Sequence, residues 1–183
     1  MTGRRAVRGL IVGCVAVVAM MAAGCAAPAG EVVTFPPASI GPTRTVSPAV
    51  GLTRIAIEDA LGEHGLAMVS PQVPFRPVEG NQLAAAPRAV YQVVLPKDPD
   101  GGFLVVYELG DTDLANQAAH DQATYLASGP GRVQSSLSTV DVIRVVGSTV
   151  VLYSWIPDDA RDPASPGIQA ALETIGLGVD VPS

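Results

Sequence analysis

Residues 89–109, AVYQVVLPKDPDGGFLVVYEL, contain two runs of β-branched and aromatic residues on either side of a turn-rich centre. Such runs around Pro, Asp and Gly are typical of two strands joined in a hairpin. The segment therefore predicts an antiparallel pair of strands over 89–95 and 103–109. Two further runs, 140–146 and 149–155, meet at Gly147-Ser148 and predict a second hairpin.

Three helices are predicted around these hairpins. The first has apolar residues at helical spacing in front of Gly65, and Thr53 is the residue expected to cap it. The second covers 114–127 after the capping residues of 111–113, and the third runs from Ser165 to Gly176. With a short strand at 66–69, this order predicts an α+β fold. We expect an antiparallel sheet of about five strands with helices packed on one face, in two layers.

The two faces of the predicted sheet differ in composition. With the strands aligned by alternation, Tyr91, Phe103 and Tyr153 share a face that is wholly apolar or aromatic and should take the helices. The other face is aliphatic with polar interruptions, and an apolar surface with a few convergent polar groups is typical of ligand sites and protein-binding patches. The alternative is a half-solvated sheet, covered in part by the irregular residues 71–88. The ligand-binding residues predicted on this face are Gln92, Glu108, Arg144 and Ser154.

Residues that usually support catalysis are scarce. The chain has two histidines, His64 and His120, and no Gly-x-Ser-x-Gly nucleophile motif. Without paired His or Cys residues the usual zinc patterns are excluded. The acidic loop at 98–102 lacks the full ligand alternation of a calcium loop and is better explained as a turn, whereas the loop at 158–162 is interpreted as solvated, with calcium binding as the alternative. We therefore expect a non-enzymatic protein without a cofactor.

The first 25 residues have the pattern of an export signal. Three arginines, at positions 4, 5 and 8, precede an apolar run over 10–23. This run is shorter than the about 17 residues that a bilayer span needs. It ends in Ala22-Ala23-Gly24-Cys25, and a Cys directly after two small residues resembles the signal of bacterial lipoproteins.

The lipoprotein resemblance covers residues 1–25 and implies a covalent anchor. In that family the Cys thiol receives diacylglycerol, with acyl chains such as palmitate, and cleavage makes Cys25 the first residue. The expected organisation is then a signal peptide at 1–24, a Pro/Ala-rich tether at 25–51 and a single domain at 52–183. The alternative is ordinary cleavage after Ala29, which would release a secreted soluble domain.

The charge balance limits the partners of the exported chain. The first 24 residues hold three arginines and no acid, so the remainder has 8 basic against 17 acidic residues, a net charge of −9. Nucleic acid binding is therefore disfavoured, and the lipid rather than the charge must hold the domain at the cell membrane. We expect a domain on the extracytoplasmic face that binds or supports another envelope protein. The alternatives are a carrier or sensor for a small apolar ligand and an unrecognised hydrolase.

Overall fold

The structure of the chain, a computed structural model, describes residues 47–182. The expected signal peptide at 1–24, Cys25 and residues 26–46 of the expected tether lie outside the described residues. No helix within 47–182 has the length and apolar character needed to cross a bilayer. The helices of this part are α1 (Pro48–Glu63), α2 (Asn81–Ala85), α3 (Thr112–Ala127), α4 (Gly129–Gln134) and α5 (Ser165–Glu173). The strands are β1 (Met68–Val69), β2 (Arg88–Val93), β3 (Phe103–Glu108), β4 (Val140–Val146), β5 (Thr149–Trp155) and β6 (Leu177–Val179).

The predicted α+β fold with an antiparallel sheet is confirmed. The strands lie in the order β1-β2-β3-β5-β4-β6, and every neighbouring pair is antiparallel. The β2–β3 and β4–β5 hairpins are those predicted, and they meet at the central β3–β5 pair. The sheet has one strand more than expected because β6 is only three residues long and includes Gly178, too short and too glycine-rich to be recognised as a strand.

Helices cover both faces of the sheet, so the prediction of helices on one face in two layers is wrong. On one face, named the α1 face, α1 and α5 pack against side chains that include Leu104, Val151 and Tyr153. On the opposite face, the α3 face, α3 and Leu83 of α2 pack against others that include Val105 and Leu152. The central strands are buried on both sides and are apolar at nearly every position, so alternation within them does not mark an exposed face.

The pairing register corrects the predicted composition of the faces. Gln92 pairs with Phe103, so the even-numbered residues of β2 share a face with the odd-numbered residues of β3. The prediction instead placed Phe103 with Tyr91, and a shift of one residue moves every side chain of a strand to the other face. As a result the sequence assigned all of β3 to the wrong side relative to β2 and β5.

The folded part begins earlier than the sequence predicts. The boundary expected between tether and domain, at residues 51–52, lies inside α1. The helix is capped by Ser47, whose Oγ accepts a hydrogen bond from the Val50 amide at 3.3 Å, and not by Thr53. Thr53 is buried against the sheet and shares a 2.7 Å hydrogen bond with Thr149 of β5. The predicted end of the helix is confirmed, because Gly65 follows it with a φ of +68°.

The buried side of α3 consists mostly of alanine. The apolar positions that the sequence offers on this helix are Leu114, Ala118, Tyr125 and Leu126; the structure buries Ala118 and Leu126, whereas Tyr125 is half-buried and Leu114 is 48% exposed. The small side chains let the α3 backbone approach the central strands closely. The buried positions are Ala115, Ala118, Ala119, Gln122, Ala123 and Leu126.

Candidate functional site

The four predicted ligand-binding residues do not converge. Gln92 and Ser154 lie on the α3 face, whereas Glu108 and Arg144 lie on the α1 face. Gln92 is used within its own hairpin, where its Nε2 donates to the carbonyls of Pro99 and Gly101 at 2.8 and 3.0 Å. The prediction of one common site failed at two strands: the register of β3 moves Glu108 to the α1 face, and in the β4–β5 pair Arg144 lies opposite Val151, which is also on the α1 face.

Arg144 has a structural partner that the sequence did not indicate. Its guanidinium donates to three carbonyl oxygens at and just after the end of α5, those of Glu173, Ile175 and Gly176, at 2.8 to 3.1 Å. Carbonyls at a helix C-terminus lack partners within the helix, and a cation there is stabilised by the helix dipole. Arg144 therefore ties the end of α5 to β4, with its Nε and Nη2 donors used within the fold.

Ser154 is the one predicted residue beside a charged cleft. It lies opposite Asp141 in the β4–β5 pair, and its hydroxyl donates to Oδ1 of Asp141 at 2.5 Å. This pairing was within reach of the sequence, because a two-residue turn at Gly147-Ser148 places residue 141 across from residue 154. Asp141 was missed because the sequence prediction assigned Arg144 of the same strand to this face, whereas the register places Arg144 on the α1 face.

Asp141 forms part of the wall of an open cleft of about 410 Å³. The cleft lies where the end of α3, the helix α4 and residues 135–139 meet the first residues of β4 and the chain after β6. Its lining combines two charged groups and several hydroxyls with aliphatic side chains. The lining includes Leu126, Arg132, Ser135, Leu137, Thr139, Asp141 and Val181.

The electrostatics of this cleft are set by two charges of opposite sign. Burial raises the pKa of Asp141, and the hydrogen bond from Ser154 offsets part of that rise. Among residues 47–182, Ser154 is the only hydrogen-bond partner of Asp141, and neither Asp141 nor Arg132 takes part in an ion pair. The cleft therefore presents a carboxylate and a guanidinium that the described part of the chain leaves available.

Replacing Asp141 with Asn should stabilise the fold at pH 7 by about 0.5–1 kcal/mol, because a partly desolvated charge is removed while an oxygen remains to accept from Ser154. The folded-state pKa of Asp141 is above the unfolded value of about 3.9. The free energy of unfolding of the wild-type protein therefore falls as pH rises from the unfolded-state pKa to the folded-state pKa of Asp141. The Asn variant lacks this decrease. Urea unfolding at pH 3.5 and pH 7 measures this, and an equal difference at both pH values would contradict it.

A second polar cluster, centred on Glu79, was not predicted. The Glu79 side chain is 3% exposed and accepts hydrogen bonds from Tyr107, Arg88 and Arg76 at 2.6 to 2.8 Å. Burial alone would raise its pKa, but the hydrogen bonds from Tyr107, Arg88 and Arg76 outweigh burial and lower it. Both carboxylate oxygens are occupied, so the cluster is a structural anchor that holds the irregular residues 70–80, between β1 and α2, on the α3 face.

The same irregular segment is held at two further points. Phe75 stacks on Phe103 with ring centroids 4.4 Å apart. The buried Gln122 of α3 accepts from the Gly80 amide and donates to the Val78 carbonyl, at 2.7 and 2.9 Å. The suggestion that residues 71–88 cover part of the sheet is therefore confirmed for the α3 face.

The histidines and acidic loops form no centre in the described part of the chain. His64 and His120 are both exposed. Asp162, expected in a solvated loop, is buried and accepts from the backbone amides of Lys97 and Ala164, which lowers its pKa. No group of three or more His, Cys, Asp or Glu residues within 47–182 is arranged to hold a metal ion.

Comparisons of the chain with protein-family models, with curated proteins and with solved structures found no match.

Proposed function

We propose that the protein is a lipid-anchored domain on the extracytoplasmic face of the cell membrane that acts by binding and not by catalysis. The anchor is supported by the Ala-Gly-Cys sequence at 23–25 after a basic start and a short apolar run. The proline-rich residues that follow have too little apolar surface to form a core of their own and suit a tether.

The single observation that carries the binding role is the cleft at Asp141. It offers a carboxylate and a guanidinium, Asp141 and Arg132, which the described residues do not neutralise. Ser154 donates a hydrogen bond to the carboxylate, and no histidine lines the cleft, so the described lining lacks the residue that most often acts as the base for a serine nucleophile. These groups suit recognition of a polar partner better than group transfer.

Coverage of both sheet faces by helices favours a role in binding a partner over a role as a carrier for a small apolar ligand. Both sheet faces are packed against helices, and the strand residues beneath them are buried. The cleft is charged, and the strongly exposed apolar residues Val133 and Leu137 lie at or next to its lining. An accessory domain that contacts another envelope component fits this surface, because exposed apolar side chains next to polar groups are typical of protein interaction sites.

Replacing Cys25 with Ser tests the anchor. Two acyl chains each gain about 0.8 kcal/mol per buried methylene, so we expect wild-type protein to stay with membranes after a high-salt wash and to incorporate labelled palmitate. The Ser variant should lose both properties. Cys14→Ser is the matched control, since Cys14 lies inside the apolar run and should leave both unchanged. A Cys25→Ser variant that is processed and retained like wild type would contradict the anchor.

A further inference from the structure

The cleft beside α4 is lined by two groups of opposite charge from different elements. Asp141 belongs to β4, where its backbone is held in the sheet, and its Oδ1 is already bonded to Ser154. Arg132 belongs to the last turn of α4, a helix capped by the hydroxyl of Ser128. Both side chains line the same space of about 410 Å³.

Each of these groups has a preferred partner. A partly buried carboxylate with one oxygen unused within the described residues binds an ammonium group through a charge-assisted hydrogen bond. A guanidinium binds a carboxylate with two parallel hydrogen bonds. A ligand that satisfies both must therefore carry a positive and a negative group on one small framework.

We infer that the cleft binds a small zwitterion with an ammonium group at Asp141 and a carboxylate at Arg132, such as an amino acid or a short peptide. This inference rests on the proposed binding function and names its ligand class. A volume of about 410 Å³ is near the lower end of the about 300–1,000 Å³ that ligand sites occupy. The hydroxyls of Ser135 and Thr139 supply further donors, and Leu126 and Val181 offer apolar contact for a short side chain.

Other ligand chemistries fit the cleft less well. A divalent cation needs several oxygen ligands, whereas the lining includes a single carboxylate. A simple anion would be attracted by Arg132 but repelled by Asp141. A polyamine would be attracted by Asp141 but repelled by Arg132. Only a molecule with both charges gains at each end.

The test is isothermal titration calorimetry on the full mature protein, purified in detergent. The probes are L-alanine and L-alanyl-L-alanine, which separate a free amino acid from a peptide, together with N-acetyl-alanyl-alanine and alanyl-alanine amide. We expect at least one zwitterion to bind with a Kd of about millimolar or below. Acetylation removes the ammonium group and amidation removes the carboxylate, so each should weaken binding by about tenfold or more.

Two variants assign the contacts. Asp141→Asn should weaken binding of the zwitterion about tenfold or more and make it insensitive to acetylation, whereas Arg132→Gln should make it insensitive to amidation. The matched controls are Asp158→Asn and Arg161→Gln, which change exposed charges outside the cleft and should leave affinity unchanged. Unfolding midpoints of all four variants verify that each is folded.

Three results would overturn the inference. The first is that neither zwitterion binds at a concentration on the order of 10 mM. The second is binding of the zwitterion that Asp141→Asn leaves unchanged. The third is binding of the acetylated probe to the wild-type protein as tightly as the zwitterion. None of these depends on Cys25, so failure here is distinguishable from failure of the membrane anchor. Retained membrane attachment without zwitterion binding would leave the anchor intact and remove this ligand class alone.

Discussion

Replacing Glu79 with Ala should lower the free energy of unfolding by about 2–3 kcal/mol, because the substitution leaves the buried Tyr107 hydroxyl without its acceptor and removes the charge partner of Arg88. Arg76 contributes little to this loss, since its side chain is 67% exposed and its ion pair is screened by water. The measurement is urea unfolding at pH 7.

The matched control for this prediction is Glu58→Ala. Glu58 also accepts from an arginine, Arg54, at 2.8 Å, but both side chains are at least a third exposed on the surface of α1. Pairs of this kind contribute about 0.3–0.5 kcal/mol, so Glu58→Ala should change stability by no more than that. Equal losses for the two variants would show that burial of Glu79 and its bond to Tyr107 do not matter.

The contribution of Glu79 should also depend on pH. Its folded-state pKa is below the unfolded value of about 4.3, so its stabilisation is fully present above that value and is lost as pH falls through the folded pKa. The stability gap between wild type and Glu79→Ala should therefore narrow in acid. Asp141 has the opposite sign, because its folded-state pKa is raised and its ionisation costs stability as pH rises.

Replacing Gly176 with Ala should destabilise the protein by about 3 kcal/mol or more. Gly176 connects α5 to β6 with a φ of +54°, and a Cβ built there would overlap the backbone carbonyl of Val145 in the neighbouring strand. A backbone atom of a paired strand cannot move aside as a flexible side chain does. We expect β6 to separate from β4, with a loss of amide protection in hydrogen exchange at Leu177 and Val179.

Gly65→Ala separates the two causes of this loss. Gly65 has a similar φ of +68°, but nothing lies within 4 Å of the Cβ position. This variant should therefore cost only the left-handed backbone conformation, about 1 kcal/mol. If Gly176→Ala were no worse than Gly65→Ala, the close approach of β4 to the turn would be irrelevant to stability.

Local signals in the sequence were sufficient to predict the strands of both hairpins and the ends of α1 and α5. The β4 and β5 bounds agree with the prediction, and Gly65 and Gly176 end their helices with positive φ as expected. These features depend on residues near one another in the chain, where turn chemistry and β-branched runs act directly.

The candidate site was predictable only in part. Asp141 opposite Ser154 follows from a two-residue turn, which determines the register of its hairpin. The β2–β3 loop is longer and irregular, so alternation alone did not establish whether Phe103 or Leu104 shares a face with Tyr91. For Glu79 the one partner close in the chain is the exposed Arg76, and the partners that hold the buried carboxylate, Arg88 and Tyr107, are 9 and 28 residues away.

The sequence by itself determined the α+β class and the two hairpins, and it predicts the export signal that ends at Cys25, since each depends on short-range periodicity or composition. The tertiary structure decided which sheet face each residue of β3 occupies, that helices cover both faces, and that Arg132 and Asp141 line one cleft. Those results depend on strand register and on packing between distant segments. A shift of one residue in strand register would change both the face that each side chain occupies and its packing partners, without altering any local sequence pattern.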